Sequence, residues 1–222
     1  MMGMRAYISK KSGWMTMARG KRIWFLFFLI FVIFLEACAF TEKRKVLFSE
    51  IQLFGQMKGE CSRREIGLLL EDMKEFPVRQ KREVAFENGY GGERSFGGKR
   101  KHEGIDIIPE KEPERGYQVI SATDGVVERL GWLELGGYRV GIRSKNGFYY
   151  YYAHLESYRK GLKEGSKVKA GDVLGTMGNT GYGKEGTKGK FIIHLHFGVY
   201  RQKKGKEQSL NPYYLLKILY TH

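Results

Sequence analysis

Short apolar runs separated by glycine-containing turns make up the chain from Pro77 onward. Thirty glycines but only four prolines occur among the 222 residues. Glycine reaches backbone conformations that other residues avoid, so it marks tight turns. Asp124-Gly125 and Asn146-Gly147 lie between runs of strand-forming residues and predict hairpins. We therefore predict a mainly β domain over residues 77–222, built as an antiparallel β-sheet or sandwich.

The N-terminus has the pattern of an export signal. All thirteen residues of Ile23–Leu35 are apolar, and residues 1–35 contain six basic residues and no acid. As a helix this run is about 20 Å long, which is shorter than the hydrocarbon core of about 30 Å. A basic leader before a short apolar core is typical of a signal peptide, and the basic flank is expected to stay in the cytoplasm. Residues 1–40 are thus predicted to be a leader plus signal or anchor segment, with the rest of the chain extracytoplasmic.

Two forms of membrane attachment remain open. Leu35-Glu36-Ala37-Cys38 resembles a bacterial lipoprotein cleavage box with Cys38 as the lipidated residue, although Glu36 is unusual there. The alternatives are an uncleaved signal anchor and release to the cell wall. Residues 41–76 are predicted to form a helical spacer, because Val46–Met57 has apolar residues at helical spacing and Ser62–Glu65 reads as a capping box.

The charge is strongly positive. Thirty-nine basic and 24 acidic residues give a net charge of +15. Such a charge favours binding of polyanions, such as nucleic acid, anionic lipid or an acidic wall polymer. The alternative is that the charge only keeps the protein soluble. The predicted export signal argues against nucleic acid and leaves anionic wall polymers and the membrane as expected partners. Two cysteines, Cys38 and Cys61, do not make a disulfide framework or a cysteine zinc site.

Four histidines occur in patterned surroundings. His194 and His196 alternate with apolar odd positions in Phe191–Tyr200, which predicts a strand with both imidazoles on the face opposite the packed one. His102 and Asp106 are four residues apart in a run that favours an extended backbone.

The fourth histidine, His154, follows a run of tyrosines. Side chains alternate between the two faces of a strand, so His154 is predicted to share a face with Tyr150 and Tyr152. Each pattern alone also fits simple packing or a solvated surface. Taken together, two histidines and a carboxylate would leave one zinc position open for water, as in catalytic sites, while two further histidines could move protons.

The ordered motifs resemble the lysostaphin-type, or LytM-like, zinc endopeptidases. The segments that carry the resemblance are Arg94–Gly97, His102–Ile107, Ala122–Val127, Tyr152–Leu155, Val168–Gly175, Gly178–Gly181 and His194–Phe197. The resemblance implies an antiparallel β-sheet groove and one Zn²⁺ bound by His102, Asp106 and His196. It also implies that His154 and His194 form a catalytic pair, and that the substrates are peptide cross-links or stem peptides of peptidoglycan.

One departure from the family concerns the segment before His194. The family usually has a short Ser-x-Gly-Pro run there, whereas this chain has a longer basic loop over residues 183–193. This loop is expected to reshape the groove. The bond that is cleaved, the choice of general base and the oligomeric state stay open.

Two alternative functions remain at this point. A non-catalytic relative that binds peptidoglycan or activates another hydrolase would carry the same fold. A carrier module is the other alternative, because Val168–Leu174 resembles the turn of biotinyl- and lipoyl-type domains.

Overall fold

The computed structural model describes residues 19–57, 59–95, 98–111 and 116–221. The basic leader residues Arg5, Lys10 and Lys11, the Phe96-Gly97 part of one motif and the terminal His222 lie outside these ranges. The chain divides into two compact units, residues 1–48 and residues 49–222. The predicted boundaries of leader, spacer and peptidase domain stay predictions.

The first unit contains the beginning of a long helix, α1 (Arg19–Met57). Its described apolar side chains between Trp24 and Phe40 are mostly exposed, and Trp24 is 76% exposed. The thiol of Cys38 is free and exposed. Within the described ranges, no helix has the combination of length and apolar character that a membrane span requires.

The second unit begins with helical segments that contribute to its core. Leu53 and Met57, at the end of α1, are buried, and so are Ile66 and Leu69 of helix α2 (Arg63–Asp72). The predicted capping box is confirmed: the Ser62 hydroxyl accepts from the backbone N–H of Glu65 at 3.3 Å, and the Glu65 carboxylate accepts from the backbone N–H of Ser62 at 2.8 Å. This reciprocal pair satisfies donors that a helix start would otherwise leave unpaired.

Strands make up most of the second unit. They are β1 (Val84–Phe86), β2 (Glu93–Arg94), β3 (Arg100–Lys101), β4 (Ile105–Pro109), β5 (Gln118–Ile120), β6 (Gly125–Leu133), β7 (Gly137–Ser144), β8 (Tyr149–Tyr158), β9 (Lys167–Val168), β10 (Val173–Met177), β11 (Leu195–Lys203) and β12 (Lys206–Leu210). A C-terminal helix, α3 (Tyr213–Thr221), follows as predicted, and the Asn211 side chain accepts from the Tyr213 N–H at 3.0 Å.

Ten of these strands form one sheet, and its pairings are antiparallel. The main order is β1-β4-β11-β8-β7-β6-β9; β10 pairs with β5 and β8, and β12 pairs with β11. Strands β2 and β3 form a separate pair. The predicted mainly antiparallel β fold is confirmed.

The two predicted hairpins have different outcomes. Asn146-Gly147 does connect β7 and β8, and Gly147 has the positive φ of 88° that such a turn requires. The Asp124-Gly125 hairpin prediction is wrong, because β5 pairs with β10 and not with β6. A Cβ on Gly125 would lie 2.4 Å from the Arg143 carbonyl oxygen, so this glycine permits a close approach of two strands.

One face of the central strands is buried and the other lines an open cleft. Ile105, Ile107, Tyr150, Tyr152, Leu195 and Phe197 are fully buried on the core side. The opposite side encloses a cavity of about 760 Å³, and all five predicted site residues line it. The sheet therefore provides a rigid floor for the candidate site.

Candidate metal centre and active site

His102, Asp106 and His196 converge on one point of the cleft. His102 lies just before β4, Asp106 lies on β4, and His196 lies opposite Asp106 in the antiparallel pairing of β11 with β4. His102 Nε2 is 3.0 Å from Asp106 Oδ1 and 2.9 Å from His196 Nδ1, and His196 Nδ1 is 3.0 Å from the same Oδ1. Three potential ligand atoms thus form a nearly equilateral triangle.

The hydrogen-bond partners of His102 orient its ring. Its Nδ1 lies 2.9 Å from the carbonyl oxygen of Gly89, which can only accept, so a proton on Nδ1 completes this hydrogen bond. Nε2 then presents its lone pair to the triangle. A ring nitrogen fixed by a backbone carbonyl in this way is typical of histidines that bind metals.

Arg94 contacts two of the three residues. Its Nη2 donates to Asp106 Oδ2 at 2.6 Å and lies 3.0 Å from His102 Nδ1. The second carboxylate oxygen is therefore occupied by a cation, while Oδ1 points into the triangle. Arg94 belongs to the motif Arg94–Gly97, but its distance from Asp106 along the chain does not predict that the two side chains are in contact.

The protonation states suit metal ligands. Burial raises the pKa of Asp106, but the close contacts of its Oδ1 with the imidazoles of His102 and His196 outweigh it and hold this pKa far below its usual range. Burial lowers the pKa of His196, which favours the neutral imidazole despite the nearby carboxylate. An ionised carboxylate and neutral imidazoles are the forms that bind a cation.

The residues present fit zinc. Bonds of about 2.0–2.2 Å in a tetrahedral arrangement place neighbouring ligand atoms about 3.4 Å apart, within a few tenths of an ångström of the observed triangle. Two imidazoles and one carboxylate also form a donor set that leaves one zinc position open. Among the described residues, His102, Asp106 and His196 are the group of three or more potential ligands that lies close enough to hold an ion.

His154 and His194 lie next to this triangle. Their ring centroids are 4.7 Å apart, and His194 Nε2 is 3.8 Å from Asp106 Oδ1. His154 Nδ1 donates to the Thr180 carbonyl at 2.8 Å, and His194 Nδ1 donates to the Ile192 carbonyl at 2.9 Å. In both rings Nε2 is therefore left with a lone pair that can accept a proton.

Burial favours the neutral form of both imidazoles of this pair. Burial, followed by repulsion from His194 and His196, lowers the pKa of His154 to about 3. Burial also lowers the pKa of His194, partly offset by attraction to Asp106. A neutral imidazole beside the triangle can take up a proton there.

The prediction that His154 shares a strand face with Tyr150 and Tyr152 is wrong. Tyr150 and Tyr152 are buried in the core, whereas His154 lines the cleft on the same side as Tyr149 and Tyr151. His154 has a φ of 65°, in the left-handed region. The β7–β8 register shifts here, since Tyr138 pairs with Leu155 and Val140 with Tyr152. Two residues of β8 thus oppose Arg139, and this bulge reverses the alternation.

The predicted strand Phe191–Tyr200 is too long at its N-terminal end. Strand β11 begins at Leu195, and Ile192 and Ile193 are 65% and 40% exposed instead of packed. The preceding loop is held by a bridge between Gly178 and His194. The backbone therefore turns before β11, and the alternation of side chains between two faces does not extend into the loop.

The long loop and Tyr182, the residue before it, contribute aromatic rings to the site that the sequence patterns did not predict. The ring centroid of Phe191 lies 4.7 Å from that of His154 and 5.1 Å from that of His194. Tyr182 lies 6.1 Å from His154 and 4.8 Å from Phe191. These rings pack against the histidine pair. The Gly-Tyr-Gly sequence around Tyr182 was the one sequence feature that could have indicated an aromatic ring near the site.

Comparisons with known proteins identify related endopeptidases. The L-Ala–D-Glu endopeptidase of Bacillus subtilis is 44% identical over 138 residues, which cover 62% of this chain and 41% of that protein. Peptidoglycan DD-endopeptidase ShyC of Vibrio cholerae is 35% identical over 82 residues, which cover 37% of this chain and 18% of that protein. The chain therefore spans less than half the length of these relatives.

A solved structure agrees with the fold. A Ruminococcus gnavus protein described as a lytM glycyl-glycine endopeptidase is 42% identical, with a TM-score of 0.65, and the match covers 77% of this chain and 71% of that one. The predicted resemblance to LytM-like proteins is thereby confirmed.

A family model matches residues 100–212, which include all five predicted site residues. Zinc is the cofactor of this family, and the triangle of two histidines and one aspartate fits it. The match covers about half of the chain, so the chain belongs to peptidase family M23 and contains a metalloendopeptidase domain of that family.

Proposed function

We propose that this chain is a zinc-dependent endopeptidase that hydrolyses peptide bonds in bacterial peptidoglycan. His102, Asp106 and His196 bind one zinc ion, and His154 and His194 act on the reacting groups. The observation that carries the proposal is the triangle of three ligand atoms at 2.9–3.0 Å, with the imidazoles of His154 and His194 beside it.

Bound zinc supplies an activated water at neutral pH and polarises the scissile carbonyl. The chain provides the proton carriers. The Nε2 atom of His154 or His194 would accept the proton of the attacking water, and the imidazolium formed there would pass this proton to the leaving amine. The hydrogen bonds of both Nδ1 atoms to backbone carbonyls hold the rings in the tautomer that this work requires.

The relatives support the choice of substrate. Their names specify an L-Ala–D-Glu endopeptidase and a peptidoglycan DD-endopeptidase. The predicted N-terminal signal or anchor would hold the domain outside the membrane, where this substrate lies. The net charge of +15 supports additional contact with anionic wall polymers.

Digestion of defined muropeptides by the zinc-loaded full chain tests the proposal. Mass spectrometry of the products is expected to show cleavage of a peptide bond and no cleavage of the glycan. His102→Ala should lose zinc and activity, whereas His154→Ala should retain zinc and lose most turnover. His222→Ala, a matched change at a histidine outside every motif, should behave like the wild type. Full zinc occupancy without cleavage of any wall preparation would instead favour a non-catalytic peptidoglycan-binding relative.

A further inference from the structure

Two arginines in the cleft are not paired with protein carboxylates. Arg100 on β3 and Arg139 on β7 both line the cavity that contains the metal centre. Within the described part of the chain, neither forms an ion pair. Arg100 Nε and Arg139 Nη1 are buried without a hydrogen-bond partner there. The described part of the protein therefore neutralises neither of these two charges.

Other arginines around the sheet are neutralised within the protein. Arg94 pairs with Asp106 at 2.6 Å, and Arg201 pairs with Glu65 at 2.8 Å. Arg143 pairs with Glu128 and Glu207, each at 2.6 Å. Buried donors without partners reduce stability. A ligand that pairs with the two guanidinium groups would therefore stabilise the cleft.

The acids of the cleft have other partners. Three line it: Asp106, which pairs with Arg94; Glu207, which pairs with Arg143; and Glu103, which interacts with the phenol of Tyr200. Glu103 keeps its negative charge, because a phenol does not neutralise it, but Arg100, Arg139 and the exposed Lys101 outnumber it and leave the cleft positively charged.

Both arginines flank His154. Arg139 lies directly opposite the bulge that contains His154, because the register of β7 with β8 shifts between Tyr138 and Val140. Arg100 Nη2 donates to the Tyr182 hydroxyl at 3.3 Å, and the Tyr182 ring contacts the ring of His154. A group bound by these guanidinium groups would therefore lie next to the reacting bond.

We propose that Arg100 and Arg139 bind a free carboxylate of the peptide substrate next to the scissile bond and make the enzyme selective for acidic peptides. The inference rests on the proposed endopeptidase function. The planar guanidinium matches the two oxygens of a carboxylate, and a charge-assisted pair in a half-buried cleft discriminates strongly against a neutral amide.

A pair of matched peptides provides the test. Both contain an L-Ala–γ-D-Glu bond, one with a free α-carboxylate and the other with an α-carboxamide. For the zinc-loaded full chain we expect kcat/KM to be about 10- to 100-fold higher for the free acid. Arg139→Gln and Arg100→Gln should each reduce this ratio towards one, because cleavage of the acid slows more than cleavage of the amide. Arg139→Lys should keep part of the preference.

Arg159→Gln is the matched control, because Arg159 is exposed on the surface and does not line the cleft. It removes the same charge and should leave the ratio unchanged. A ratio that stays constant in one cleft variant removes that arginine from the carboxylate site. Equal rates on both peptides in the wild type, or a ratio unchanged in both cleft variants, would overturn the proposal.

Binding of the same peptides separates this inference from the proposed function. If the zinc-loaded wild type cleaves neither peptide, the calorimetric affinities still decide the question. Tighter binding of the acid that is lost in Arg139→Gln supports a carboxylate site. Equal affinities contradict it, whatever the protein catalyses.

Discussion

Gly104 and the imidazole of His196 are packed so closely that there is no room for a side chain between them. A Cβ on Gly104 would lie 2.8 Å from His196 Cε1 and Nε2 and 2.5 Å from the Phe197 carbonyl oxygen. The glycine between His102 and Asp106 thus lets β4 approach β11 until ligands from both strands meet.

Gly104→Ala should therefore damage the metal centre. The methyl group has to displace His196 or the β11 backbone, and overpacking of this kind costs about 1–3 kcal/mol. We expect weaker zinc binding in a chelator competition assay and a lower free energy of unfolding. Gly67→Ala is the control, since nothing lies within 4 Å of its Cβ position in α2; alanine there should be neutral or stabilising. Wild-type zinc affinity in Gly104→Ala would contradict this account.

Arg94 should support zinc binding without being a ligand. It holds Asp106 Oδ2 at 2.6 Å and thereby directs Oδ1 to the triangle. Loss of such a supporting partner typically reduces metal affinity about 10- to 100-fold, and we expect this for Arg94→Ala in competition with a chelator. Arg82→Ala, at an exposed site, should retain full affinity. Equal affinities of the two variants would remove Arg94 from this role.

His154 should be replaced at lower cost by glycine than by alanine. Both substitutions remove the imidazole, but only glycine adopts the φ of 65° without strain. We expect His154→Gly to be more stable than His154→Ala by about 1 kcal/mol in urea unfolding. The neighbouring Ala153→Gly should destabilise, because φ of Ala153 is not positive. The opposite order for His154 would show that its backbone is not held in the left-handed region.

Glu65 should make stability depend on pH. Burial raises its pKa, but hydrogen bonds from Ser62 and Arg201 outweigh this and hold the pKa of Glu65 below its usual value. A depressed folded-state pKa contributes stability above the unfolded pKa, near about 4.3, and this contribution is lost as the pH falls through the folded pKa.

Glu65→Gln should therefore destabilise the protein at pH 7 by about 1–2 kcal/mol. The difference from the wild type should shrink below about pH 4. Urea unfolding at several pH values measures it. A difference that is the same at pH 7 and at low pH would contradict the assigned ion pair with Arg201.

Sequence patterns predicted the features that depend on local chemistry. The capping box at Ser62, the turn at Asn146-Gly147 and the helix after Asn211 follow from side chains that act within a few residues. The convergence of His102 and Asp106 with His196 depends on pairing between strands far apart in the chain, and only the resemblance to a known family anticipated it.

The failed predictions have a common physical cause. Period two assumes an uninterrupted strand, and the left-handed His154 interrupts β8 just where the cleft requires an imidazole. Likewise, Gly125 resembles a turn residue but serves the close approach of two strands. Tertiary contacts that no local pattern encodes decide both positions.

Anomalous X-ray diffraction from crystals of the zinc-loaded full chain tests the central claim most directly. Data collected on both sides of the zinc absorption edge should give one strong peak between His102 Nε2, Asp106 Oδ1 and His196 Nδ1, with bonds of about 2.0–2.2 Å. A peak at other residues, or zinc-loaded crystals without a peak at this triangle, would contradict the account.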